Sequence, residues 1–562
     1  MNKPLFLLLL VAFSANSQTK ITQVEKYTQI GLVWGILKYH HPDISKGMYT
    51  WDLELIHLIN DIEEIEEQEK LNNELINYIR KYTKPSTKFN TDPIKIDQDK
   101  VFKNNFNYDW IDKIAFGPVL REELIRLKNN NNIGDYYASS NTLSKMLEFK
   151  NEQGILDFDP LLKSHRLLEL HSFWNIIQYW NVNKYLTDTP WINVLEELID
   201  NFLNAETIAA YEIAKLEMFS KLNDSHSYSI SEFMYKSLFN RLPPFGVKII
   251  NDSLLVTTTY NKKLAEKAGI HLGDIIVGIN DLSVPEYINN TFLNLISVSN
   301  KSYLKQRLNT FILRNNTDSL KIKILTNEGE LKNKTIKLYE SFKLENAKRL
   351  IPLEKSNWKK ITPKITYINL SEISSKEFSS VFKESMQNDG IILDLRNYPR
   401  NIKLKDFSKF LYPKRKEFVK VLLPLKRNPS MGEYNAEAPL KMIANPFKIG
   451  KKNTNYYKGK IILLVDRKTG SQAEWFGMAI QQSPNCITIG HQTMGAVMNI
   501  TSAILPDKQE FYFTGAGAFY PNGESVQRKG LRIDYPIKES CVNYNSELYI
   551  EQAVKIIESG IK

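Results

Sequence analysis

Between residues 365 and 562, four short apolar runs (KITYINL, GIILDLR, GKIILLVD and CITIG) alternate with helical stretches. No other feature narrows the fold as far, because strands separated by helices in this way give the α/β pattern. The upstream texture is different. Helical patterns fill the chain to about residue 238, and from RLPPFGVKII onward come short β-like runs, among them GVKII, SLLVTTTY, DIIVGIN and SLKIKIL. A chain of 562 residues has room for several cores. The expected architecture is multidomain α+β. It comprises an N-terminal helical unit (18–160), a second helical unit (161–238), a small β domain (239–340) and a C-terminal α/β domain (341–562).

The two helical units share an internal repeat. WGILKYHHPDISKGMYTW runs from Trp34 to Trp51 and WNIIQYWNVNKYLTDTPW from Trp174 to Trp191, with equal Trp spacing and Tyr39 and Tyr179 at the same offset. Two copies are too few for a solenoid and imply two related helical units whose aromatic residues pack a core. His40-His41 before Pro42 has no carboxylate or further His at ligand spacing, so no metal site is expected there. KNNNNIGDYYASSN, between the copies, reads as an exposed loop.

The first 17 residues read as a secretory signal. Lys3 supplies the charge, PLFLLLLVAF is a short apolar core, and Ala15-Asn16-Ser17 offers small residues before Gln18. The run is too short to span a membrane, so the expectation is a periplasmic or extracellular protein without stable membrane insertion. Cys486 and Cys541 allow one disulfide and no metal knuckle, and Cys486 in CITIG is read as a core thiol. The net charge of +11 is spread along the chain, which reads as solvated surface and not as a nucleic-acid arm. HExxH, paired CxxC and P-loop motifs are absent, and GAGAF at 515–519 is too weak for a nucleotide fingerprint, so no cofactor is expected.

Chemistry concentrates in LLVDRKTGSQAEWFGMAIQQ (463–482), a buried strand that feeds a helix through Thr469-Gly470-Ser471-Gln472. A Ser at such a turn is either the helix N-cap or a hydroxyl held over a cleft. The turn departs from the GxSxG elbow, with Thr469 and Ala473 at its Gly positions. It resembles instead the S41 family of serine peptidases, the C-terminal processing peptidases and the tricorn core protease. Thr469, Ser471 and Glu474 match the family's T-x-S-x-x-E, and Gly490, Thr493 and Gly495 its G-x-x-T-x-G. IILDLRNYP (391–399) is similar to the strand ending D-L-R-x-N, and GESVQRKGLRID (523–534) to a late x-x-G-(I/V)-x-P-D, with Ile533 in place of Pro. The resemblance spans roughly 165–562 with its motifs in family order. It implies a ClpP/crotonase-like catalytic domain preceded by a PDZ domain, matched by Ala265–Ile270, Gly273–Ile276 and Ile279-Asn280. Phe245, Gly246 and Val247 stand where such a domain adds an extended peptide to its sheet edge.

The resemblance also assigns roles. Ser471 is the nucleophile and the Gln472 N–H an oxyanion donor. The Lys of the processing peptidases is replaced by Ala496, which points to the tricorn-like branch, whose base is a His preceded by Ser: Ser225 and His226 in LNDSHSY. A neutral imidazole takes the Ser proton and returns it to the leaving amine. That branch's relay ends in a late Glu, for which Glu524 and Gln527 are both in the neighbourhood. Where the family has Gly-Gly after D-L-R-x-N, this chain has Tyr398-Pro399-Arg400, and Pro399 has no N–H to give. Two functions stand side by side: a serine endopeptidase acting on proteins or peptides, and a catalytically impaired peptide-binding or scaffold protein on the same fold.

Overall fold

The computed structural model describes residues 19–92, 97–141, 145–227, 232–326, 328–351, 356–435, 445–545 and 547–560. Residues 1–17, read above as a secretory signal, lie outside them. The chain forms two compact units: residues to Asp92 with Tyr108–Gly134, and Pro93–Asn107 with everything from Asp135. No described helix is long and apolar enough to cross a membrane.

In the first unit, α1 (Gln23–His40) starts at a capping box between Thr22 and Glu25 and is buried on nearly all sides. It packs on α2 (Trp51–Asp61). The Trp34 Nε1–H donates to the Trp51 carbonyl at 3.1 Å and the Trp51 Nε1–H returns to the Trp34 carbonyl at 3.1 Å. His40 Nε2 meets Tyr108 Oη at 2.8 Å and His41 Nε2 meets Thr83 Oγ1 at 3.3 Å. Burial drives the His40 pKa down to about 3 and that of His41 to about 4, so both are neutral packing groups.

The second unit repeats the device. Its helices α3 (Lys163–Trp180) and α4 (Trp191–Leu203) are joined by Trp174 Nε1–H to the Trp191 carbonyl at 2.7 Å and Trp191 Nε1–H to the Trp174 carbonyl at 3.1 Å, with the indoles stacked. The equal Trp spacing therefore has a physical cause. Each indole satisfies its buried N–H on the other's backbone, which fixes the length of the intervening turn. Next, α5 (Ile208–Ser220), capped by Thr207, ends at the turn that carries His226.

Residues 245–337 build a β domain around its own core. Antiparallel strands β1 (Phe245–Ile250), β2 (Ser253–Thr259), β3 (Ile275–Ile279), β4 (Ser319–Leu325) and β5 (Leu331–Lys337) pair in that order. In β4 the residues alternate, with Leu320, Ile322 and Ile324 inward and Lys321 and Lys323 outward. Beside β1 runs α6 (Lys301–Leu308).

The C-terminal sheet has the order β6 (Trp358–Thr362), β7 (Ile365–Asn369), β8 (Gly390–Asp394), β9 (Lys460–Val465), β10 (Cys486–Gly490), β11 (Tyr535–Pro536), and all pairs after the first are parallel. β7 and β8 are buried throughout and β9 after its first residue, as parallel strands covered on both faces must be. Ile391, Leu393, Ile461 and Leu463 face α7 (Ser375–Glu384) and α8 (Gln472–Ile480), while Ile392, Ile462 and Leu464 face α9 (Leu548–Glu558). Cys486 and Cys541 are both free thiols, and burial raises the pKa of each.

Candidate active site

The C-terminal ends of β8, β9 and β10 converge, where ligands of parallel sheets bind. After β9 the Thr469 Oγ1–H donates to the Leu395 carbonyl beyond β8 at 3.0 Å and Oγ1 accepts the Asp466 N–H at 3.0 Å. This ties the turn to its neighbour strand. Gly470 has no space for a side chain, since a Cβ would lie 2.6 Å from Met494 Sδ. Ser471 follows at φ 53° and ψ −122°, a conformation that costs a non-Gly residue about 1–3 kcal/mol. Its side chain makes no capping bond. The hydroxyl of Ser471 is thus held out at the start of α8 by a strained backbone, and the N-cap alternative is not realised. Gln472, the first residue of α8, has a backbone N–H at the positive end of the helix, where no intrahelical acceptor exists.

Glu474, in the first turn of α8 and fully buried, holds the segment after β10. Its Oε1 accepts Thr493 Oγ1–H at 2.5 Å and the Gly495 N–H at 2.7 Å, and its Oε2 accepts the Ala496 N–H at 3.0 Å. Burial raises this carboxyl to about 7, against the lowering effect of those donors. In return the Ser471 N–H donates to the Ala496 carbonyl at 3.0 Å. The T-x-S-x-x-E and G-x-x-T-x-G stretches are thus two halves of one lock.

The His226 turn docks on the same lock. Asn223, at φ 48°, ends the helical run, and Asp224 follows. The Ser225 hydroxyl accepts the Ser299 N–H at 2.8 Å and donates to the Met494 carbonyl at 3.4 Å. Ser225 therefore anchors the turn by its backbone neighbours, and the imidazole is held by another hydroxyl. His226 Nδ1 lies 2.9 Å from Oγ1 of Thr514, the last residue of a hairpin strand (Glu510–Thr514). Thr514 Oγ1–H donates to Asp224 Oδ1 at 2.8 Å, and the Thr514 N–H to Asp224 Oδ2 at 2.6 Å. Burial lowers the His226 pKa, and the charge of Asp224 opposes that shift.

Glu524 lies at the surface, where Arg532 Nε donates to it at 2.9 Å. Gln527 is the buried residue, and its Nε2 reaches Thr514 Oγ1 at 3.3 Å and Asp224 Oδ1 at 3.4 Å. The stretch after β8 closes over α8: Tyr398 Oη–H donates to Gln472 Oε1 at 3.2 Å, and Gln472 Nε2 donates to the Pro399 carbonyl at 3.4 Å.

Phe245, Gly246 and Val247 open β1, on the edge of the β domain, along a groove of about 400 Å³ that Leu313 and Arg314 also line. The Ile249 N–H points to that side, donating to Asn309 Oδ1 at 2.8 Å, and alternation turns the Val247 N–H the same way. From β1, Lys248 Nζ donates to Glu539 Oε1 at 2.5 Å, and Glu539 Oε2 receives Arg467 at 3.1 Å, four residues before Ser471.

Asp224 and Thr514 have no motif of their own. The one signal for them is Asp two positions before the His, since Thr514 lies 288 positions from His226.

Residues 364–537 match the sequence profile of peptidase family S41. Among solved structures, the chain resembles mature CPAF with a TM-score of 0.53 and 11% identity, over 71% of this chain and 98% of that one. Mature CPAF complexed with lactacystin gives 0.52 and 11%, over 70% and 97%. At this identity the likeness concerns the fold. The tricorn protease aligns with a TM-score of 0.32 and 16% identity, over 71% of this chain and 37% of that one. No curated protein matches the sequence.

Proposed function

We propose, from the premise that residues 364–537 make this chain a member of peptidase family S41, that it is an exported serine endopeptidase cleaving proteins or peptides through an acyl-enzyme on Ser471. The observation that carries this reading is the backbone of Ser471, strained at φ 53° and ψ −122° with its hydroxyl uncommitted to a cap. Strain of this kind persists only where the surroundings over-determine it, and here Thr469, Gly470 and the Glu474 lock do so.

In the reaction, His226 Nε2 removes the Ser471 Oγ proton as the oxygen attacks the scissile carbonyl. The imidazolium then gives that proton to the leaving amine, and water completes hydrolysis by the reverse route. The Gln472 N–H, at the positive end of α8, donates to the oxyanion. Burial of His226 favours the neutral imidazole that a base requires. The β domain serves as a PDZ-like capture site. An extended substrate segment adds to the edge of β1 at Phe245-Gly246-Val247, taking the outward Val247 N–H.

Ser471→Ala tests the reading. It should abolish both hydrolysis of denatured casein and labelling by a fluorophosphonate, with the melting temperature held. Labelling or hydrolysis near the wild-type rate would end the assignment.

A further inference from the structure

Six hydrogen bonds converge on one buried carboxylate and one buried hydroxyl behind His226. Asp224 Oδ1 receives the His226 N–H at 3.0 Å, Thr514 Oγ1–H at 2.8 Å and Gln527 Nε2–H at 3.4 Å. Asp224 Oδ2 receives the Thr514 N–H at 2.6 Å. Thr514 Oγ1 in turn meets Gln527 Nε2 at 3.3 Å and His226 Nδ1 at 2.9 Å. Asp224, His226, Thr514 and Gln527 are all buried.

Donor and acceptor bookkeeping fixes the protons. A carboxylate only accepts, so the single Thr514 Oγ proton points at Asp224. That leaves Thr514 Oγ1 only lone pairs for its other neighbours. Gln527 presents an N–H, and so must His226 Nδ1. With the proton on Nδ1, the lone pair of the neutral ring is on Nε2. The network thus selects the tautomer that a general base needs, and it places a negative charge one hydroxyl away from the ring.

We infer that Asp224 and Thr514 are the positioning residues of this site, a hydroxyl-bridged carboxylate relay behind His226 that stands in for a glutamate late in the chain. The inference rests on reading His226 as the base. No group is consumed. During proton transfer the Thr514 hydroxyl keeps its own proton, and the hydrogen bond from Nδ1–H to Thr514 Oγ1 shortens as the imidazolium forms. Gln527, a neutral amide, completes the shell of Thr514 and Asp224 without adding charge. Among the described residues, the charged groups on elements around the ring are Asp224 on its own turn, Glu474 on α8 and Arg528 beside Gln527. Glu474 is committed to the backbone of 495–496, and Arg528 to Asp188 and the Leu186 and Ser299 carbonyls.

The test uses the full chain and the rate of fluorophosphonate labelling. Thr514→Val, nearly isosteric, leaves Nδ1–H without its acceptor, and labelling should slow by about 10²- to 10⁴-fold, the range set by a misdirected imidazole. Thr514→Ser restores the hydroxyl and should label close to wild type. Asp224→Asn should slow labelling and move its acidic limb to lower pH, because the imidazolium loses its counter-charge. In ring-¹⁵N-histidine spectra, assigned by His226→Ala, neutral His226 should show Nδ1 protonated in wild type and a mixed tautomer in Thr514→Val. Wild-type labelling by Thr514→Val, with His226→Ala inactive, overturns the relay and leaves the base in place. Full labelling by His226→Ala overturns both. Should Thr514→Val fail to fold, an Nε2-protonated His226 in the wild-type spectrum is itself enough to overturn the relay.

Discussion

Gly495 offers a measurement of how tightly the lock around Ser471 is built. Its φ is +69°, and a Cβ would lie 2.8 Å from the Arg528 carbonyl carbon and 2.9 Å from its Cα, both backbone atoms that cannot rotate away. Gly495→Ala therefore carries two costs. The left-handed conformation costs an L-residue about 1–2 kcal/mol, and forcing the backbones apart costs about 1–3 kcal/mol more. The sum is about 2–5 kcal/mol. Gly523 is the internal control, with φ +90° and nothing within 4 Å of its Cβ position, so Gly523→Ala carries only the first cost, about 1–2 kcal/mol. The assay is urea unfolding followed by tryptophan fluorescence, alongside fluorophosphonate labelling. Gly495→Ala should unfold at distinctly lower urea than Gly523→Ala. It should also label slowly, because displacing residues 495–496 shifts the carbonyl that receives the Ser471 N–H. Equal unfolding midpoints, or normal labelling by Gly495→Ala, would refute the claim that close backbone approach at Gly495 positions the nucleophile.

The reciprocal indole bonds predict that Trp191→Phe destabilises the second unit by about 1–3 kcal/mol, from a lost hydrogen bond and an unfilled part of the core; an unchanged urea midpoint would contradict this. For pH, burial lowers the His226 pKa, so the neutral base persists as pH falls. The labelling rate should rise with pH and reach half its plateau below the ordinary imidazole value of about 6.5. A midpoint at or above that value would show that the charge of Asp224 outweighs burial.

The sheet, the Ser471 turn and the His226 turn were legible because each is carried by a local pattern: apolar strand runs, a strand–helix junction and a short motif. Glu474 was legible as a motif letter, but its work was not, since the three groups it accepts from lie 19 to 22 positions away. The sequence leaves Glu524 and Gln527 as alternatives because both fall within a four-residue span of one loop. Only the fold puts one against Arg532 at the surface and the other in the core. Thr514 was out of reach entirely. A threonine ending a hairpin strand has no chemical signature until the His226 turn is brought to it. The Trp repeat implies packing, and packing alone does not disclose that each indole closes on the other's carbonyl.

The order of these parts along the chain has a consequence for synthesis. A polypeptide leaves the ribosome from its N-terminus, and folding domains follow that order. His226 emerges first, Ser471 about 245 residues later, and Thr514 and Gln527 later still. On the proposed reading, a nascent chain that ends between His226 and Thr514 holds an imidazole without its nucleophile, or a nucleophile without a seated imidazole. A growing peptidase is itself unfolded polypeptide, the kind of substrate it would cut. On the proposed reading, hydrolytic competence arrives only after the segment that carries Thr514 and Gln527 has joined the fold, so the nascent chain is shielded from its own chemistry until then.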